Sequence, residues 1–479
     1  MRRGVSKILA TRAQGTPAAY VANVSSPRRR RAESLTVDER SFRNPKLRNA
    51  SLIAYRALTD LAGKGSVFII TIAAARRLSP HAFGVFSLGS TLGWILAVVT
   101  DFGIQMHLAR AVAKHPAGAR QLLRSWLRVR LWTAFAAFSA VTIGTAAVGW
   151  TSPYSVPVVV FALVYACSGL IEFLNYFYRG LSRSDVESSL TLWQRGATLV
   201  CGLAALAWRP DVTLLALALL LPAVVTLCVS MRMALRVGAD TRVSRHEGIR
   251  ARADVTGAGA DPRIGPSTMS VFRRDVWPIG AGIVLSALYF RIDVFLLQFW
   301  SGAEPVGLYN AVFRLVEALR LFPAAVMAVT LPSMCRAFDL RPLARAAAPV
   351  TLGAVAMAAI LWASAGWLIP VLYQARYEAA VPAFRILLLS FPVMALNMAL
   401  THQLIGWDGQ RAFAALCAGA LVVNVALNAR LIPAASIDGA AWATFGTECF
   451  LTAGCAIALS TVAAAKRAGA TVAESAVAG

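Results

Sequence analysis

Stretches of about 20 apolar, nearly uncharged residues recur along almost the whole chain, and each is long enough to cross a bilayer as a helix. Of the 479 residues, 58% are hydrophobic and only 15% are charged. A helix satisfies its backbone polar groups internally, which lipid requires. About twelve such helices and their connections use up the chain. The sequence therefore predicts an all-α, polytopic membrane protein without a sizeable soluble domain.

The predicted spans form two sets of six around a basic connection. Windows of about 19 residues place the first set near 53–75, 84–106, 127–149, 156–178, 189–208 and 211–231. The second set lies near 276–299, 306–332, 347–370, 381–405, 411–431 and 437–460. The predicted domains are a disordered basic arm (1–50), an N-terminal lobe (51–231), a cytoplasmic linker (232–274), a C-terminal lobe (275–462) and a tail (463–479).

Most of the 47 Lys and Arg residues lie in the arm, which carries the run Arg28 to Arg31, and in every second connection. The other connections hold only Arg76, Arg77, Arg209 and Arg376. The positive-inside rule predicts that both termini and the connection at 232–274 are cytoplasmic. Anionic headgroups explain the net charge of +24 better than a nucleic acid partner does.

The seven Cys and five His residues are dispersed, without the spacing of a metal site or a catalytic triad. The sequence therefore predicts neither a metal nor a cofactor. One faint repeat links the halves: FGVF at 83–86 opens the second span, and VGLY at 306–309 opens the eighth. Its position in both halves favours parallel repeats.

Four segments carry a resemblance to a known family: AARRLSPHAFGVFSLGS (74–90), DFGIQMHLARAVA (101–113), YFRIDVFLLQFWSGAEPVGLYNAVFRLVEAL (289–319) and IDGAAWAT (437–444). The chain resembles polysaccharide flippases of the multidrug/oligosaccharidyl-lipid/polysaccharide (MOP) superfamily, the Wzx-type O-antigen or exopolysaccharide translocases. The resemblance implies two six-helix bundles forming a V around a central cavity. It also implies transport of a polyprenyl-pyrophosphate-linked oligosaccharide from the cytoplasmic to the outer leaflet.

Basic residues deep within spans are the first candidates for a binding site, because each costs about 2.5–3.5 kcal/mol at a helix centre. Lys64, Arg291, Arg314 and Arg320 lie too deep to reach the headgroups easily. We predict that these four bind the diphosphate, since guanidinium and ammonium groups both pair with phosphate oxygens. The alternative is pairing with intramembrane acids, most directly of Arg314 with Glu317 at i, i+3. Arg195, nearer the cytoplasmic end, suits either an entrance role or a reach to the interface.

Acidic, aromatic and amide side chains within the spans complete the candidates. The carboxylates that could couple transport to a proton, or act only as counter-ions, are Glu448, Asp101 and Glu172. The candidates for sugar contacts are Tyr289, Asn310, Asn397 and Gln403. Trp94, inside the second span, faces either the cavity or lipid.

The predicted function is therefore a lipid-linked oligosaccharide flippase for cell-surface polysaccharide, with a polysaccharide polymerase and a chain-length regulator as candidate partners. A multidrug or cation antiporter of the same superfamily is an alternative, although its cavity should be lined by acids. A polymerase or ligase is a second alternative, but the outer connections are too short for acceptor handling, so catalysis is not expected. A lipid II flippase stays open within the transport reading.

Overall fold

The computed structural model describes residues 45–114, 116–148, 154–237, 277–336, 339–407 and 409–478. Ala54–Gly479 form one compact unit. The helices of the N-terminal half are α1 (Pro45–Arg77), α2 (Pro80–Asp101), α3 (Ile104–Lys114), α4 (Ala119–Val148), α5 (Ser155–Gly180), α6 (Ser184–Trp208) and α7 (Val212–Val237). Those of the C-terminal half are α8 (Trp277–Ser301), α9 (Ala303–Leu319), α10 (Leu321–Arg336), α11 (Arg341–Tyr373), α12 (Val381–Gly406) and α13 (Gln410–Ala478).

The predicted fold class, a two-lobed, all-α membrane protein, is confirmed. Within the described residues, 9 helical segments are long and apolar enough to cross a membrane. The longest, α13, contains the last two predicted spans, which meet at Ser436 with φ 46° and ψ −119°. The first predicted span is α1, and the eighth is divided at Arg320 into α9 and α10. Together these account for the predicted twelve.

Other predictions about the organisation fall on or near undescribed residues. Most of the predicted basic arm, including Arg28 to Arg31, and most of the predicted linker lie outside the described residues. Helix α1 begins at Pro45, within the predicted arm, and α13 runs through most of the predicted tail. The lobe boundaries stay predictions.

The helices within each lobe pack closely against one another. In the N-terminal lobe α5 contacts α2, α3, α4 and α7, and its buried face carries large aromatic residues such as Phe161, Phe173 and Phe177. In the C-terminal lobe α13 packs along α8 and α12, and α12 also packs against α11. Buried alanines such as Ala440 and Ala441 let these helices approach closely, as is common between helices in membranes.

The two segments that form the faint repeat pack against each other and join the lobes. Helix α2 begins after Ser79, whose hydroxyl accepts a hydrogen bond from the Ala82 amide at 3.2 Å. A Cβ at Gly84 of α2 would collide with the backbone carbonyl of Ala303, and one at Gly307 of α9 would collide with that of Pro80. Glycine is therefore required on both sides of this helix crossing.

Two further contacts join the lobes at the opposite ends of α2. On the side predicted to be outer, the Phe83 ring lies 6.2 Å from the Tyr377 ring in an edge-on arrangement. On the side predicted to be cytoplasmic, Phe102 adopts a positive φ of 44° and its ring lies 5.2 Å from that of Trp277. Helix α2 is thus held against the C-terminal lobe at both ends, beside the cavity described next.

Candidate functional site

A cavity of about 360 Å³ lies within the N-terminal lobe. It is lined by residues of α1 to α7, and Ile283 of α8 closes one side. Helix α2 contributes a single face, because Phe86, Ser90, Trp94 and Asp101 follow helical spacing. The cavity is of the size that binds small ligands in proteins, about 300–1,000 Å³.

Arg130 of α4 is the most deeply buried cation at this cavity, with a side chain 1% exposed. Its nearest acid is Asp101, whose Oδ1 lies 3.9 Å from the guanidinium Nε. Neither Nε nor one terminal nitrogen of Arg130 has a hydrogen-bond partner among the described residues. The guanidinium therefore keeps unused donors.

Sequence reasoning missed Arg130, which by sequence belongs with the basic residues at the start of the third predicted span. A signal was nevertheless present in the helical spacing. The exposed residues Arg120, Arg124 and Arg128 share one face of α4, whereas Arg130 falls on the apolar stripe that contains Trp126. A cation on the apolar stripe of an amphipathic helix is the feature that marks it.

Two of the three carboxylates predicted as ion-coupling candidates, Asp101 and Glu172, line this cavity. Asp101 ends α2 and accepts hydrogen bonds from the amides of Gly103 and Gln105, at 3.1 and 3.3 Å, where α3 begins. Its carboxylate is therefore held by the start of α3 and only loosely by Arg130. Glu172 lies 3.4 Å from Arg179, and its side chain is 46% exposed.

Of two further cations, on α6 and α1, the first lines the cavity and the second lies near it. Arg195 lines it, and the Arg195 side chain lies along the backbone of α1 at Gly63. Lys64 is exposed and is separated by helical spacing from Val67 and Thr71, which both line the cavity. The predicted diphosphate ligand Lys64 therefore stands on the cavity face of α1, about one turn beyond the lining residues.

The predicted diphosphate ligands of the C-terminal lobe form an ion cluster. Arg314 donates to Oε2 of Glu317 at 2.9 Å, which is the pairing that the sequence raised as an alternative. Arg291 donates to the same oxygen at 2.7 Å, although its residue is 26 positions away in sequence. One carboxylate thus serves two guanidinium groups.

Asp293 does not pair with Arg291. Its carboxylate accepts hydrogen bonds from the Tyr309 hydroxyl at 2.6 Å and from the Val294 amide at 2.8 Å. Arg320, the fourth predicted ligand, lies where α9 ends and its guanidinium stacks over the Phe290 ring at 4.5 Å. Within the described residues no acid lies within ion-pair distance of Arg320.

The remaining candidates lie buried in the C-terminal lobe, away from the cavity. Glu448 is 3% exposed and accepts a hydrogen bond from Asn397 at 3.1 Å, and Gln403 donates to the Met334 carbonyl at 3.1 Å. Tyr289 and Asn310 are 8% and 1% exposed. None of the four predicted sugar contacts, Tyr289, Asn310, Asn397 and Gln403, lines the N-terminal cavity.

Among the described residues, no three His, Cys, Asp or Glu side chains are placed to hold a metal.

The architecture is that of an all-helical membrane protein with two lobes joined along one helix and with charged side chains inside the spans. The chain belongs to the family of polysaccharide biosynthesis proteins, whose model matches residues 52–338. No curated protein matches the chain at a significant level.

Solved structures share this fold at low sequence identity. The lipid II flippase MurJ, in an inward closed conformation, is 10% identical with a TM-score of 0.62, and the match covers 85% of this chain and 87% of that one. An inward-facing multidrug transporter of the MATE family is 15% identical with a TM-score of 0.56, covering 86% and 96%. A MOP superfamily transporter from Pyrococcus furiosus, described as having a binding pocket of reverse polarity, is 15% identical with a TM-score of 0.52, covering 87% and 93%.

Proposed function

We propose that this protein is a flippase for polyprenyl-pyrophosphate-linked oligosaccharides. It would carry the repeat units of a cell-surface polysaccharide, such as O-antigen, capsule or exopolysaccharide, from the cytoplasmic to the outer leaflet by alternating access. The observation that carries the proposal is the C-terminal ion cluster, in which Arg291 and Arg314 share the carboxylate of Glu317. The guanidinium groups of Arg291 and Arg320 both lie over the Phe290 ring. The family of polysaccharide biosynthesis proteins supports the same substrate class.

The charge of the cluster suits a diphosphate. Moving phosphate oxygens through a region of low dielectric requires fixed cations, and guanidinium groups pair with such oxygens through two parallel hydrogen bonds. The side chains of Arg314 and Glu317 are 24% and 34% exposed, so a ligand can reach them. A diphosphate would compete with Glu317 for these guanidinium groups and release its carboxylate.

Lys64 supplies a cation on the other lobe. It is exposed on the cavity face of α1. Of the three arginines, Arg291 belongs to α8, Arg314 to α9, and Arg320 lies between α9 and α10. A headgroup held by both lobes would move with them as access alternates. The lipid tail would stay in the bilayer, so that only the headgroup and the sugars need shelter.

The setting of this function is also proposed. The distribution of Lys and Arg supports cytoplasmic termini, and a carrier of such repeat units would lie in a bacterial inner membrane. A polysaccharide polymerase and a chain-length regulator are the partners that would use the exported unit. The protein itself would act without catalysis.

The test replaces one cation of each lobe, as Lys64→Gln and Arg320→Gln, in a strain that depends on this protein. We expect surface polysaccharide to fall at least tenfold, because each change removes a charge-assisted contact worth about 1.5–3 kcal/mol. Arg430→Gln is the matched control, since Arg430 is an exposed cation near the end of a predicted span. Membrane protein levels are measured beside export.

Unchanged export by both variants at normal protein level would refute the diphosphate assignment. A second candidate, the export of organic cations, would use the carboxylates of Asp101 and Glu172, which line the cavity beside Arg130 and Arg195. Uptake of a labelled organic cation by proteoliposomes of the purified protein would support this second candidate. In either case Glu448, Asp101 and Glu172 are the proposed coupling groups, and transport that ignores an imposed pH gradient would argue against that role.

A further inference from the structure

The N-terminal cavity differs in chemistry from the diphosphate cations proposed above. It holds two arginines, Arg130 and Arg195, together with two carboxylates, Asp101 and Glu172. This balance repels a diphosphate as much as it attracts one, and it opposes an organic cation in the same way. The charges of the cavity therefore suit an uncharged ligand rich in hydrogen-bonding groups.

Arg130 offers hydrogen-bond donors to such a ligand. Its side chain is 1% exposed, and Nε and one terminal nitrogen lack hydrogen-bond partners among the described residues. A buried donor without a partner is costly, so it marks a place where a bound molecule or water completes the structure. Asp101 does not fill this role, because its nearest oxygen lies 3.9 Å from Nε, which is beyond hydrogen-bond distance.

The rest of the lining adds flat aromatic surfaces and further polar groups. Trp94 of α2 is 36% exposed, and Tyr165 of α5 packs against the neighbouring Gly93 of α2. The additional polar lining side chains are Ser90, Ser168, Gln194 and Thr198. Aromatic faces pack against the carbon-rich faces of sugar rings, while hydroxyl, amide and guanidinium groups bind sugar hydroxyls.

We propose that this cavity is a glycosyl-binding site, in which Arg130 donates hydrogen bonds to one sugar unit and Trp94 packs against its ring. The inference rests on the proposed function and deepens it: the C-terminal cations and Lys64 bind the diphosphate, and the N-terminal cavity selects the sugar. The cavity volume of about 360 Å³ limits the site to a short part of the oligosaccharide.

The test uses full-length purified protein and two kinds of soluble probe. Saturation-transfer NMR with glucose, galactose and N-acetylglucosamine reports sugar binding, and phosphorus NMR with inorganic pyrophosphate reports diphosphate binding. We expect Arg130→Gln to lower the affinity for the bound sugar at least tenfold, because contacts to a charged donor are worth about 1.5–3 kcal/mol. Pyrophosphate binding should stay unchanged.

Two further variants separate this effect from misfolding. Arg128→Gln removes a neighbouring, exposed arginine of α4 and should bind both probes as the wild type does. Trp94→Ala should weaken the sugar signal and leave pyrophosphate binding intact, and it replaces Arg130→Gln if that variant does not fold. Lys64→Gln and Arg320→Gln should show the reverse pattern.

The inference is overturned if the wild type binds none of the three sugars, or if the folded Arg130→Gln and Trp94→Ala variants bind them as well as the wild type. Sugar binding by a wild type that does not bind pyrophosphate would instead refute the diphosphate assignment. The two failures are therefore distinguishable in one set of spectra.

Discussion

The two lobes hold their intramembrane cations in different ways. In the C-terminal lobe Arg291 and Arg314 share one oxygen of Glu317, at 2.7 and 2.9 Å. In the N-terminal lobe Arg130 lies 3.9 Å from Asp101 and faces a cavity. Both arrangements reduce the cost of a charge removed from water, the first by close pairing and the second by leaving space for a ligand or water.

This difference fits the different tasks that we propose for the two lobes. A close cluster in which two guanidinium groups share one carboxylate can exchange that carboxylate for another anion. A loose pair beside a cavity keeps free hydrogen-bond donors without a large net charge. The C-terminal lobe is thus suited to an anionic group, and the N-terminal lobe to a neutral polar one.

The largest expected effect comes from removing the shared carboxylate with Glu317→Gln. Arg291, whose side chain is 4% exposed, would then be buried without an acid within ion-pair distance. We expect a loss of about 3 kcal/mol in the free energy of unfolding, the lower end of the range for a broken buried pair, because Glu317 is partly exposed. Thermal unfolding of the purified protein measures it.

The same variant should bind pyrophosphate more tightly than the wild type, because a competing negative charge has been removed. Glu304→Gln is the control, since Glu304 is an exposed acid on the same helix. Equal stability of the Glu317→Gln and Glu304→Gln proteins would remove the basis for a close ion cluster.

A smaller loss is expected for Asp101→Asn, which tests the loose pair. Asparagine still accepts hydrogen bonds at the start of a helix, so the change isolates the charge that faces Arg130. We expect the free energy of unfolding to fall by about 1–2 kcal/mol. The loss is small because the two charged groups are 3.9 Å apart and Arg130 makes no hydrogen bond to Asp101. A loss as large as that of Glu317→Gln, measured by the same thermal unfolding, would contradict the contrast between the lobes.

The smallest effect is expected where the lobes meet on the side predicted to be outer. Arg376, between α11 and α12, donates hydrogen bonds to the carbonyls of Ala75 at 3.1 Å and of Arg76, at the end of α1. Arg376→Ala should weaken the contact between the lobes on this side by only about 1 kcal/mol. The loss is small because the arginine is exposed, so that its hydrogen bonds compete with water. Arg341→Ala, at an arginine 82% exposed, is the control.

The readout for Arg376→Ala is the labelling rate of a cysteine introduced at Phe83, beside Tyr377. Faster labelling than in the same cysteine protein with Arg376 intact would show that the contact helps to close this side. An unchanged rate would mean that the packing of α2 on α9 holds the lobes together without Arg376.

The sequence by itself determined the class of fold and the number of crossings, because hydropathy and helix length are local properties of the chain. The sequence also identified Asp101, Glu172 and Lys64 as candidates, because a charge inside an apolar span is visible without a structure. In the structure these residues lie at or beside the cavity. The pairing of Arg314 with Glu317 was predictable from their spacing of three residues. The break at Arg320 within the eighth predicted span was not, because hydropathy alone does not mark it.

Tertiary structure decided which charges meet and which face space. Arg291 pairs with Glu317 on another helix, and Asp293 accepts a hydrogen bond from Tyr309. Arg130 lies on the buried stripe of α4 and not on its basic face. The four predicted sugar contacts are buried in one lobe while the described cavity lies in the other. These outcomes depend on how helices pack and rotate against one another, and side chains far apart in sequence set that packing.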